Sequence, residues 1–180
     1  MKKWYNTHKK KSKVQGSLTW ARLKTTNGWP KIKCKAAATR HLAAFALDLA
    51  VRYCQHDERI IAVAQLMNEF YVTLESEKVF LRDHAITRLG QIGQDFCDIY
   101  AELSNCAYDN DIKMWKMTPE LHMFIHLCQW DIVNSKLNPR VYWTYADEDL
   151  VGTLCEVAES CHPSTMPFVS LSKWAILEFA

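Results

Sequence analysis

Ile86, Leu89, Ile92, Phe96, Ile99 and Leu103 fall three or four residues apart along "KVFLRDHAITRLGQIGQDFCDIYAELSNCA". That spacing puts all six side chains on one stripe of an α-helix, and on no single face of a strand. The same period occurs twice before it. Leu42, Phe45, Leu49 and Tyr53 mark a first helix in "KCKAAATRHLAAFALDLAVRYC", whose alanines favour helix and permit a close neighbour. Ile60, Val63, Met67, Phe70 and Leu74 mark a second in "DERIIAVAQLMNEFYVTLE", opened by Asp57 and Glu58, where the macrodipole favours negative charge. Gly90 and Gly93 lower the helix propensity of the third and predict a close crossing or a bend.

The pattern breaks at "DNDIKMWK" and resumes in "TPELHMFIHLCQWDIV", with Thr118 as N-cap, Pro119 at the first helical position and Glu120 behind it. "NSKLNPR" ends that helix, because the residue before a proline avoids helical geometry. A fifth helix is predicted from about Ala146 to Ser160 and a sixth from about Pro167 onward, joined by the short turn "SCHPST". No strand pattern or repeat is evident. The expectation is an all-α fold: a basic irregular arm over residues 1–31, then one helical domain of about six helices over residues 32–180. Its last segment, "WAILEFA", is apolar and uncapped, as expected of a packed terminus or of a chain that continues.

At 180 residues the chain is long enough to bury a core, and 49% hydrophobic against 23% charged residues is a globular balance. No apolar run approaches the roughly 18–20 residues that span a bilayer. The opening "MKKWYNTHKKKSKVQG" has no apolar stretch behind its charges, so secretion is not expected. Seven cysteines, an odd number, suit free thiols in a reducing interior. An intracellular protein follows, with the nucleus implied if the partner is DNA.

The net charge of +2 conceals a sharp division. Twelve lysines and arginines precede Asp48 without one acid among them, and the remainder carries ten basic and twenty acidic residues. A basic arm before an acidic body suggests contact with a polyanion, or an arm folded back on its own domain. The nucleic-acid candidates are Lys9, Lys10, Lys11, Lys13, Arg22, Lys31, Lys33, Lys35 and Arg40, which neutralise phosphates by charge alone. Trp4, Trp20 and Trp29 lie among them, placed either to stack on unpaired bases or to staple the arm to the body.

Two constellations bear on chemistry. Asp147, Glu148 and Asp149 follow Thr144 in "YWTYADEDLVG", where carboxylates in a first helical turn are stabilising without any further role. As catalytic candidates they would hold a divalent metal, yet neighbouring acids on one turn point about 100° apart and cannot chelate alone. His122 and His126 share a helix face, and with Cys155 and His162 they are the zinc candidates. Met123 stands where the H-E-x-x-H signature requires Glu, and Cys128 falls off the histidine face. The cysteines occupy apolar helical positions that suit buried thiols better than nucleophiles. No phosphate-cradling glycine loop or G-x-S-x-G elbow is present.

"KIKCKAAATRHLAAFALDL", "KMTPELHMFIHL" and "NPRVYWTYADEDLVG", in that order, resemble the helical C-terminal regions of CACTA-like eukaryotic DNA-transposon proteins over about residues 30–165. Pro119, His122 and His126 match the Pro-x-x-His-x-x-x-His helix of that family. Glu148, with Asp147 and Asp149 as alternates, matches the acid that follows its aromatic loop. In the family that acid joins two aspartates on an RNase H-like sheet, and no sheet is readable here. The resemblance therefore implies a helical fragment or derivative without a complete catalytic core, working through nucleic acid, DNA before RNA. Two other readings stand beside it. One is a protein-interaction module that associates with a partner or itself through its last helix. The other is a metal-dependent enzyme using Glu148 and the histidines.

Overall fold

The computed structural model describes residues 40–143 continuously, together with residues 4, 19, 23, 28–30, 155, 157–162, 164–166, 168, 169 and 172. The fold is all-α, with no strand among the described residues. The chain divides into two compact units, residues 1–141 and 142–180. The expected boundary between residues 31 and 32 lies outside the described residues.

In the first unit α1 (Ala43–Tyr53) packs on α2 (Glu58–Ser76), and α2 packs on α3 (Asp83–Asp109). Then α4 (Pro119–His126) runs without interruption through a π-helical turn (Leu127–Asp131) into α5 (Ile132–Ser135), and this composite helix lies against α3. The stripes read from the sequence make the core. Leu74, Leu89, Ile92 and Ile132 are fully buried, each worth about 1.5–3 kcal/mol by removal from water, and Val63, Phe70, Ile86, Phe96 and Leu103 are nearly so. Tyr53 departs from its stripe: it is the last residue of α1 and remains 73% exposed.

The connections are fixed by polar side chains. Asp57, in extended conformation, accepts the Arg59 backbone N–H at 3.1 Å and caps α2. The Arg59 guanidinium returns to the same carboxylate through Nε and Nη2, at 2.9 and 2.8 Å. At the other end, the sequence places Lys78–Leu81 in the third helix, but α3 begins only at Asp83. Those residues run extended instead and pair with Lys136–Asn138, where Leu81 N–H donates to Lys136 O and Asn138 N–H to Val79 O, both at 2.8 Å.

Asn138, 2% exposed, donates its amide to the Leu74 and Lys78 carbonyls at 2.9 and 3.0 Å and accepts the Arg140 N–H at 3.1 Å. It thereby satisfies carbonyls that a helix end leaves without partners. Beside it Glu77 is buried and receives the Arg82 guanidinium, with Nη2 to Oε1 at 2.6 Å. "NPR", expected only to stop a helix, thus ties the end of α4–α5 to the end of α2.

The glycines resolve in favour of a close crossing. A Cβ on Gly93 would stand 2.5 Å from the Cys128 Cβ, so α3 and the π-helical turn meet there with no room for a side chain. In the second unit, residues 157–159 are helical, and Ser160, Ser164 and Thr165 lie in turns, as "SCHPST" suggests. The other residues of the predicted fifth and sixth helices, "WAILEFA" among them, lie mostly outside the described residues.

Candidate functional site

An aromatic ladder leads from the core to the surface. Phe124 meets Phe70 and Phe96 edge-on at 5.0 and 5.3 Å between ring centroids, Phe96 lies 5.9 Å from Tyr100, and Tyr100 meets Trp115 at 5.4 Å. Burial pushes the Tyr100 phenol above its ordinary pKa, and its hydroxyl donates to the Lys116 carbonyl at 3.1 Å. Two backbone conformations that L-residues rarely adopt lie in this loop, at Asp111 (φ 53°) and Trp115 (φ 58°), and a third is at Lys136 (φ 55°). Each costs on the order of 1–3 kcal/mol and persists only where the surroundings enforce it. A bulky Trp at positive φ is a true outlier.

The strained loop frames a cleft of about 650 Å³ beside the end of α3. Trp29, Tyr108, Lys113 and Lys116 supply aromatic faces and cations, Asp109 and Asp111 supply carboxylates, and the exposed Ile112, Met114 and Met117 add apolar surface. Tyr108 is 85% exposed. The Lys116 ammonium stands 5.9 Å from the centre of the Trp29 ring, and the Lys113 stem lies against Gly28. The end of the basic segment therefore meets the body at this cleft. Trp4, buried edge-on to Phe45 at 5.4 Å, is a second point where the segment is stapled down. Sequence reasoning took "DNDIKMWK" only as a break between helices. Its two lysines and one tryptophan in four positions were the signal for the cleft.

Elsewhere most of the body's described cations are engaged internally. Arg88 pairs bidentately with Glu69 at 2.6 and 2.7 Å, Arg82 with Glu77, Arg59 with Asp57, Arg52 with Asp48 and Lys136 with Asp83. Arg140 donates to the Leu74 and Glu75 carbonyls at 3.3 Å. Arg40, the one nucleic-acid candidate among the described residues, is largely buried. It lies 3.9 Å from Glu75 and 3.2 Å from the His41 ring, so it serves α2 before any phosphate. Lys9, Lys10, Lys11, Lys13, Arg22, Lys31, Lys33 and Lys35 lie outside the described residues.

The acids Asp147, Glu148 and Asp149 also lie outside them. His122 and His126 stack edge-on at 4.3 Å on the outer face of α4, and Trp130 follows 5.9 Å from His126. Cys155 and His162 belong to the second unit, where His162 Nδ1 lies 2.8 Å from the Ser164 hydroxyl. All four zinc candidates are described, yet no group of three or more His, Cys, Asp and Glu converges among the described residues. Cys128 is fully buried, its thiol pushed up to about 12 by desolvation with a further contribution from Cys97. Burial likewise raises the Cys97 thiol. Neither is poised as a nucleophile, since the thiolate is the reactive form.

No helix among the described residues is long and apolar enough to cross a membrane. No family model, curated protein or solved structure matches the chain.

Proposed function

We propose that this chain is a helical nucleic-acid-binding module, of the transposase-derived kind its sequence resembles, that grips the phosphate backbone with its basic N-terminal arm. The observation that carries this reading is the partition of charge. Five cations of the body pair with its own carboxylates and Arg140 with its carbonyls, while eleven lysines and arginines precede Arg40 with no acid among them. Most of the phosphate neutralisation is assigned to the arm, and the body serves as its mount. Replacing Lys9, Lys10, Lys11 and Lys13 together with Gln in the full chain tests it. Each phosphate contact on a single strand contributes about 0.7 to the slope of log K against log salt, so the slope should shallow by up to about 3. An unchanged slope would remove the arm from the interface.

A second reading, a protein-association module, is favoured by exposed apolar side chains: Val79 and Phe80 at the turn before α3, and Met123, Trp130 and Val133 on the composite helix. Light scattering across a hundredfold concentration range tests it, and a constant monomer mass would argue against self-association.

A further inference from the structure

We infer that the cleft around Tyr108 holds one unpaired nucleotide, its base stacked on the tyrosine ring and its phosphate drawn to the lysine side. The inference rests on the nucleic-acid reading and assigns the body a contact of its own. The volume, about 650 Å³, lies inside the range of about 300–1,000 Å³ that small-molecule sites occupy. Tyr108 presents its ring to solvent at 85% exposure, the arrangement of a stacking platform rather than of a core aromatic. Lys113 and Lys116 line the same cleft, Lys116 beside the Trp29 ring, so phosphate has cations to reach without leaving it.

The two carboxylates decide what base is preferred. Asp109 and Asp111 repel phosphate from their side and accept hydrogen bonds there, and a carboxylate in reach of a base edge pairs with an exocyclic amino group such as cytosine N4. Thymine lacks that donor. Cytosine should therefore be held more tightly than thymine. Asp111 and Trp115 keep left-handed backbone on either side of Lys113 in the loop that lines the cleft. A base locked in a duplex cannot enter, so the cleft serves single strands or free nucleotides.

The test is fluorescence anisotropy with the full chain and labelled oligo(dC), oligo(dT) and a duplex of the same length, with cytidine monophosphate as competitor. Tyr108→Ala should lower oligo(dC) affinity about tenfold, in line with the measured range for one stacked base, and leave the duplex unchanged. Tyr108→Phe, which keeps the ring, should restore binding. Far-UV circular dichroism checks that both variants fold. Tighter binding of oligo(dC) than of oligo(dT), with competition by the mononucleotide at millimolar concentration, would support the site, and equal binding of the two strands would overturn the role given to Asp109 and Asp111. Equal oligo(dC) affinity for wild type and Tyr108→Ala would overturn the cleft proposal, and salt-dependent duplex binding in the same experiment would leave the arm reading standing. No binding to any probe would overturn both.

Discussion

A β-carbon built on Gly93 would lie 2.5 Å from the Cβ of Cys128, whereas one built on Gly90 would lie 3.9 Å from its nearest neighbour, the Cys128 carbonyl oxygen. The two glycines are one turn apart on α3 and should respond oppositely to the same change. Gly90→Ala meets ordinary contact and gains helix propensity, so it should stabilise by about 0.5–1 kcal/mol. Gly93→Ala makes the same gain but forces the helices apart, and overpacking typically costs about 1–3 kcal/mol. It should be destabilising in urea unfolding, and adding Cys128→Ala should not rescue it, because the closest atom is Cβ and not sulfur. Asn138 is the other position where one side chain has wide effect. Asn138→Ala leaves the Lys78 carbonyl without its amide and the Leu74 carbonyl with only the longer Arg140 bond, and a buried group so stranded costs about 1–3 kcal/mol. A midpoint shift below a few tenths of a kcal/mol would show that water replaces it.

At the scale of elements, the Lys78–Leu81 connection and the π-helical turn are what the sequence conceals, and both for the same reason. The apolar stripes of α2 and α3 depend on residues within one element, so periodicity finds them. The extended run at residues 78–81 depends on Lys136–Asn138, more than fifty positions away, and local pattern reads it as helix. The π-helical turn carries Cys128, which packs against Gly93 on α3, another long-range contact that local pattern does not show. Thr118 takes the N-cap position with extended backbone (φ −135°, ψ 157°), as the sequence indicates, yet its hydroxyl makes no capping bond.

The same connection has a pH signature. The Arg82 guanidinium holds the Glu77 carboxyl below its ordinary 4.5. A depressed folded value means that this contribution is complete above 4.5 and is lost as pH falls through the lower folded pKa. Glu77→Gln should therefore lower stability at pH 7 and flatten the acid limb below pH 4.5 in a pH series of thermal melts. A limb of unchanged steepness would assign the acid loss to Asp57 and Glu69, which are depressed by Arg59 and Arg88. The π-helical turn also predicts thiol reactivity. With its pKa near 12, about one Cys128 in ten thousand is ionised at pH 8, and none of its surface is open. Iodoacetamide should modify the exposed Cys106 and Cys155 first and reach Cys128 only on unfolding, as read by peptide mass mapping.

Over the whole molecule, the division between a basic front and an acidic remainder is plain in the sequence, and the structure adds how the body disposes of its own cations. What composition could not convey is that Trp4 and Trp29 connect the front segment to the body, or that Tyr108, Lys113 and Lys116 gather beside Trp29. Trp29 lies far from Tyr108, Lys113 and Lys116 in sequence, and the Tyr100–Trp115 contact lies in the same loop as the two lysines. The binding of nucleic acid through the arm is the central claim. Its most direct test is the anisotropy of a labelled single-stranded oligonucleotide titrated with the full chain at salt concentrations from 50 to 200 mM. Saturable binding is expected, with log K falling linearly with log salt at a slope of several units. Absent binding, or an affinity indifferent to salt, would contradict it.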